Sequence, residues 1–286
     1  MLKNIVVGVD GSPSGRRALE WAVDAAAHEV HAVHAVSPGL ELLAAGFQIN
    51  TRPLIERLTT QLECVWAAGM KTDRTKIFTH VVENSPVRAL LEIAGACNAD
   101  AIAVGERGQN SAPSKMVGAT TSRLTHLSDV PIVVVPSIAR VGGDDDPQVI
   151  VIGVTDHPLE DAELVSWACA AARDTSTQID LVNSDSRVSP GSRQANTTAA
   201  ARGATATTRI DAWLVRQRYP NPCRFVVAAG DPITALVDAS QHASLIVVGS
   251  HRSSRLAAYL TGALANHLPA ISSCPVAIVP LTAARP

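Results

Sequence analysis

Short apolar runs alternate with longer amphipathic segments along the whole chain. In the first half, β-rich runs lie near Ile5–Val9, His31–Val36, Lys76–Val82, Ala101–Val104 and Ile132–Val135. Between them the spacing of apolar positions predicts helices near Gly15–His28, Pro53–Gly69, Pro86–Asn98 and Ala119–Leu127. The runs at 5–9, 101–104 and 132–135 are nearly all apolar, so both of their faces need covering. That is the mark of a parallel sheet with helices on each side. The expected fold is α/β and doubly wound: a five-stranded parallel sheet in the order 3-2-1-4-5.

The pattern then repeats. The first half closes on "AIAVGERG", "MVGATTS" and "DVPIVVVP", the second on "LIVVGSHR", "YLTGALA" and "SCPVAIVP". Gly249 and Gly262 each follow Gly105 and Gly118 by 144 residues, and Pro275 and Pro280 follow Pro131 and Pro136 by the same interval. The openings correspond as well, "NIVVGVDGSP" against "VIVIGVTDHP". So unbroken a register identifies a duplicated domain. We expect one domain over 1–139 and a second over 149–286, joined by the polar stretch from Ser137 to Gln148. A second polar stretch, Ser184 to Thr208, reads as a long loop inside the second domain. "PIVVVP" and "PVAIVP" would be apolar edge strands in this winding order, so we expect the halves to pack through them.

Composition narrows the function classes. With 286 residues, 47% of them hydrophobic and 17% charged, each half can build a core. The net charge of −2 comes without a basic run or an acidic tail, which leaves no footprint for nucleic acid or a membrane surface. No apolar run approaches the ~18–20 residues of a membrane span. "MLKNIVVGVDG" passes into a strand without a signal-cleavage region, so a cytoplasmic location is expected. The five cysteines (64, 97, 169, 223 and 274) are scattered and contain no C-x-x-C pair, as suits core residues in a reducing compartment.

Candidate chemistry gathers where the winding would reverse. In an open parallel sheet, ligands settle outside the carboxyl ends of the strands at that point. Here Asp10 ends the first strand and Gly105 the fourth. Gly105 and Gly108 would give backbone freedom and close approach to a ligand. Gly118 would open a helix whose first amides, on Ala119, Thr120 and Thr121, form an anion site. The threonines could add hydroxyl donors, and Arg107 and Lys115 outnumber the one acid, Glu106. The segment reads as a nest for phosphates, with Asp10 suited to the amine or ribose of a nucleoside. It is neither a Walker loop nor a G-x-G-x-x-G.

These residues resemble the universal stress protein family, whose ATP-binding members carry G-x2-G-x9-G-[ST] before a last strand of Cys-Pro-Val type. The resemblance covers the whole chain as two tandem copies, a form familiar in actinobacteria. It implies ATP as ligand, with or without Mg2+, and a role as a stress-response regulator. It also implies that Asp10 contacts adenine or ribose, that backbone near Ala35 and Val36 lines the adenine pocket, and that Gly105, Gly108 and Gly118 to Thr121 hold the phosphates. Gly249 and Gly262 are the corresponding glycines of the second half. Departures exist: Ala119 stands where Ser or Thr is usual, Arg252 replaces a glycine, and Ala263 and Ala265 replace both hydroxyl positions. The strand-one acid of the second half is either Thr155 or Asp156. The second site is therefore expected to be degenerate.

Other conspicuous residues read as structural. His28, His31 and His34 suggest a metal, but a strand spacing of three points His31 and His34 to opposite faces. Trp21 and Trp167, in corresponding helices, are expected as core anchors. Cys274, with Ser273 and His267 nearby, lacks a placed partner for nucleophilic chemistry. No paired carboxylates or evident base accompany the phosphate nest, so ATP is expected to be sensed and not consumed. The expected partners are ATP and a homodimer or regulatory protein. The alternatives are a scaffold with decayed nucleotide sites, or a weak ATP hydrolase.

Overall fold

The computed structural model describes residues 1–37, 50–67, 69–70, 75–109, 117–138, 148–154, 158–172, 174, 176–185, 222–250 and 267–281. The chain divides into two compact units, Leu2–Ser137 and Ile138–Pro286.

The first unit runs β1 (Leu2–Gly8), α1 (Pro13–Ala25), β2 (Ala26–Val36), α2 (Arg52–Gln61), β3 (Lys76–Glu83), α3 (Pro86–Ala96), β4 (Ala101–Gly105), α4 (Ala119–Leu127) and β5 (Ile132–Val135). Its strands order as β3-β2-β1-β4-β5, every pairing parallel. The second unit supplies β6 (Val149–Gly153), α5 (Pro158–Ala171), β7 (Gln178–Asp185), β8 (Cys223–Ala229), α6 (Pro232–Ser240), β9 (Leu245–Ser250) and β10 (Val276–Pro280). Its order is β8-β7-β6-β9-β10, again all parallel. The doubly wound sheet expected from the apolar runs is thus present twice.

The cores follow from composition. All four residues of β5 are at most 1% exposed, and β4 is as deeply buried from Ala101 to Ala103. Covering a Val or Ile contributes about 1.5–3 kcal/mol, so this short strand is held by burial on both faces. Helix α1 buries a stripe of small residues (Ser14, Gly15, Ala18, Ala22 and Ala25) together with Leu19 and Val23. Small side chains let the helix axis approach the sheet closely.

Four expectations about elements change. Helix α1 starts at Pro13, because Ser12 caps it by accepting the Gly15 amide at 3.0 Å and proline suits the first helical position. It also stops at Ala25, not His28: the alanines that favour helix are drawn into β2, which pairs with β1 from Ala26 onward. Helix α2 ends at Gln61 and continues as a π-helical turn over Leu62–Trp66. Trp21 and Trp167 are half-buried, because the small-residue stripe of α1, and Leu164, Val165 and Ala168 in α5, face the sheets instead.

Candidate functional site

One cavity of about 230 Å³ lies at the carboxyl edge of the first sheet, beside the adjacent ends of β1 and β4. Its walls come from segments distant in sequence: Gly8 to Asp10, Val33 to Ala35 on β2, Pro86 and Leu90 on α3, Val104 and Gly105 on β4, and Gly118 to Thr121 at α4. Asp10, Ala35, Gly105, Gly108, Gly118, Ala119, Thr120 and Thr121 all line it. Val36 is not among the lining residues; the contribution of β2 is Val33, His34 and Ala35. In the second half, Gly249 lies at the end of β9, while Gly262 lies outside the described residues, as do Lys115, Thr155, Asp156, Arg252, Ala263 and Ala265.

The parts play roles that spacing alone does not reveal. Asp10 clasps two loops: its Oδ1 accepts the Ser12 amide at 3.0 Å and its Oδ2 the Gln109 amide at 2.8 Å. This ties the end of β1 to the glycine segment after β4. Gly105 is not at positive φ, contrary to expectation; positive φ among the described glycines falls at Gly11, Gly69 and Gly230. What Gly105 provides is space. A Cβ there would stand 2.6 Å from Ser14 Oγ and 2.7 Å from the Ser14 carbonyl carbon. It is therefore a packing glycine, admitting the first turn of α1 against β4. Gly108 too lacks positive φ.

Gly118 is the N-cap of α4, with φ −64° and ψ 159°, and its amide donates to the Glu106 carbonyl at 2.7 Å. A glycine cap brings no side chain to the first turn, and no side-chain cap bond is made there. Helix-start amides without intrahelical partners favour an anion. The threonine hydroxyls divide. Thr121 is buried and its Oγ1 donates to the Gly105 carbonyl at 3.0 Å, so it serves the fold, while Thr120 is half-exposed at the cavity wall.

Two serines that the sequence reading passed over complete the frame. Ser14 Oγ donates to the Arg107 carbonyl at 2.5 Å, and Ser12 Oγ lies 3.5 Å from the same oxygen. The Ser-Pro pair at 12–13, a helix-start signal, was the clue to this contact. Arg107 itself lines the cavity, and its buried Nε has no hydrogen-bond partner.

Residues read as structural do not converge on this site as a ligand set. His31 Nδ1 is 3.0 Å from His80 Nε2, and its other nitrogen is 3.4 Å from Glu29 Oε2. His34 Nδ1 donates to the Val9 carbonyl at 2.7 Å and its ring meets Trp66 edge-on. Cys274 is 2% exposed, and burial pushes its thiol up to about 12, far from the range of a thiolate nucleophile. Among the described residues no helix is long and apolar enough to cross a membrane.

Comparison with known proteins converges on one family. The sequence profile of the universal stress protein family matches residues 1–136 and again residues 147–280. Universal stress protein Rv2623 of Mycobacterium tuberculosis is 26% identical over 293 residues, covering 96% of this chain and 95% of its own. Universal stress protein Rv2005c of the same species is 26% identical over 290 residues, covering 96% of each chain. The crystal structure of a universal stress protein from Archaeoglobus fulgidus superposes with a TM-score of 0.63 at 15% identity, over 97% of this chain and 96% of that one, a likeness of fold. With its duplicated doubly wound sheets and a family match over each half, this chain belongs to the universal stress protein family.

Proposed function

We propose that the first half binds ATP in the cavity at the carboxyl edge of its sheet, and that the protein acts as a nucleotide-dependent regulator of a stress response. The observation that carries this reading is convergence: Asp10, Ala35, the Gly105–Gly108 turn and the α4 start come from distant parts of the sequence and line one cavity. The residues suit the ligand. Gly118 leaves the helix-start amides open to phosphates, Thr120 offers a hydroxyl, and Arg107 lines the same cavity. Apolar Val33, Leu90 and Val104 provide a surface for a flat base.

Binding without turnover is the reading we favour. Asp10 is the one carboxylate among the described lining residues, and both of its oxygens already accept backbone amides. That occupation suits a latch better than a general base. In the second half, Arg252, Ala263 and Ala265 replace the residues that would hold phosphates, so nucleotide is held chiefly by the first. The regulator works in the cytoplasm, through a protein partner or a second copy that reads nucleotide occupancy.

The test is to denature the purified protein and identify any released nucleotide, then to titrate the stripped protein with ATP. Released adenine nucleotide and saturable binding are expected. No nucleotide and no binding would leave an interaction scaffold as the better reading, and ADP accumulating above a Gly118→Val control would make the protein a hydrolase.

A further inference from the structure

Glu106 is a buried acid, 6% exposed, at a position where the second half has a serine. It stands between two residues of the cavity wall, Gly105 and Arg107, without lining the cavity itself. Its backbone is tied to both neighbouring elements: the amide donates to the Val135 carbonyl at 3.0 Å, and the carbonyl accepts the Gly118 amide at 2.7 Å. Its carboxylate holds the chain that leaves β5, because Oε1 accepts the Ser137 hydroxyl at 2.8 Å. Arg107 Nη1, 3.8 Å from the same oxygen, offsets the buried charge.

The second repeat shows what the fold requires here. In the 144-residue register, Ser250 corresponds to Glu106 and Leu281 to Ser137. There the Ser250 carbonyl accepts the Leu281 amide at 3.0 Å, so the chain leaving β10 is held through the backbone. The Leu281 side chain lies over Gly249. An apolar residue therefore serves this position, and the fold does not call for a buried acid. Burying a carboxylate is costly even when it is paired, and such pairs suit specificity and switching better than stability. In the first half the carbonyl is given to Gly118 instead, and the exit of β5 is held by the side chain. One residue thus joins the start of α4 to the chain beyond β5. An occupant that fixes the Gly105–Gly108 turn and the first turn of α4 also fixes the Glu106 backbone between them. The reach of its carboxylate to Ser137 depends on that backbone.

We propose that Glu106 couples occupancy of the cavity to the chain leaving β5, so that a bound nucleotide tightens the Glu106–Ser137 bond. This rests on the reading of the cavity as an ATP site. Such coupling is reciprocal: the factor by which ATP favours the bond is the factor by which the bond favours ATP. Ser137 is outside the cavity wall, so a change in ATP affinity caused there measures the link.

Calorimetry and amide hydrogen exchange on the full chain test it, using wild type, Ser137→Leu and Ser137→Thr with ATP. Ser137→Leu introduces the residue that the second repeat carries and removes the hydroxyl. It should weaken ATP binding roughly threefold to tenfold, part of the worth of a hydrogen bond to a charged group. Ser137→Thr keeps the hydroxyl and should bind ATP within about twofold of wild type. In wild type, ATP should slow exchange at the Ser137 and Ile138 amides by a factor comparable with the affinity lost in Ser137→Leu. That measurement needs no variant to fold, and the slowing should vanish in Ser137→Leu. The coupling is overturned, and the ATP site left standing, if ATP binds wild type without changing exchange at these amides. Ser137→Leu binding ATP as tightly as wild type would have the same meaning. Failure of wild type to bind ATP at all would overturn both.

Discussion

Gly105 and Gly118 belong to one sequence motif but meet different physical demands. At Gly105 a Cβ would collide with the backbone of Ser14 and Gly15, neither of which can swing away as a long side chain could. Gly105→Ala is therefore expected to destabilise the first unit by about 1–3 kcal/mol, the usual cost of forcing atoms into a packed contact. At Gly118 the nearest atoms to an added Cβ are 3.5 Å away and φ is negative, so a side chain fits the fold. Gly118→Val should keep the wild-type thermal midpoint yet lose ATP binding, because the branched side chain fills space at the α4 amides. Paired melting curves and titrations of the two variants separate the roles. Equal midpoints for both variants would mean that Gly105 is not a packing residue. Gly11 obeys a third demand: it has φ +82°, and a Cβ would lie 2.8 Å from the Trp66 ring.

At the scale of elements, the first half shows how packing overrides local preference. Residues 26–28 read as helix because alanine favours it, but β1 claims Ala26 and both β1 and β3 pair with β2 from Glu29 onward. The π-helical turn at Leu62–Trp66 places Trp66 against both Gly11 and His34, next to the loop that carries Asp10. On the pair β2–β3, His31 faces His80, and burial, then the charge of His31, lowers the His80 pKa below its ordinary 6.5. The fold thus favours neutral His80. Its contribution is fully present above pH 6.5 and is lost as pH falls from there through the lower folded value, since the unfolded chain takes up the proton first. The thermal midpoint should decline on the acid side of pH 6.5, and His80→Asn should flatten that decline. An unchanged pH profile in the variant would show that the pair carries no linkage.

Duplication defines the whole molecule, and it reaches the side chains. The Cβ position of Gly8 is bounded by Leu90 and Val104, and that of Gly153 by their counterparts Leu236 and Val248. The amide of Val9 donates to Val33, as that of Val154 does to Val182. The apolar floor beside each switch point is thus built twice. In the first half it is completed by Asp10, Arg107 and the α4 start. The second half has Arg, Ala and Ala at the three diverged positions. Titration should therefore give about one ATP per chain. Two equal sites would show that Arg252 supplies charge to a phosphate instead of blocking it.

The sequence by itself determined the class of fold, its duplication and several of the residues that line the cavity, among them Asp10, Gly105 and Gly118. Short, β-branched apolar runs between prolines, such as Ile132–Val135, read as strands covered on both faces, and a parallel order with one reversal leaves a crevice at the ends of β1 and β4. Helix α4 was legible to the residue because a glycine cap and an apolar period agree there. Only the tertiary structure decided what each residue does. That Gly105 makes room for Ser14, that Thr121 serves the Gly105 carbonyl and that Asp10 latches the Gln109 amide all depend on contacts between distant segments. Periodicity reports which face of an element turns inward, whereas the partner waiting on that face is set by how the elements pack.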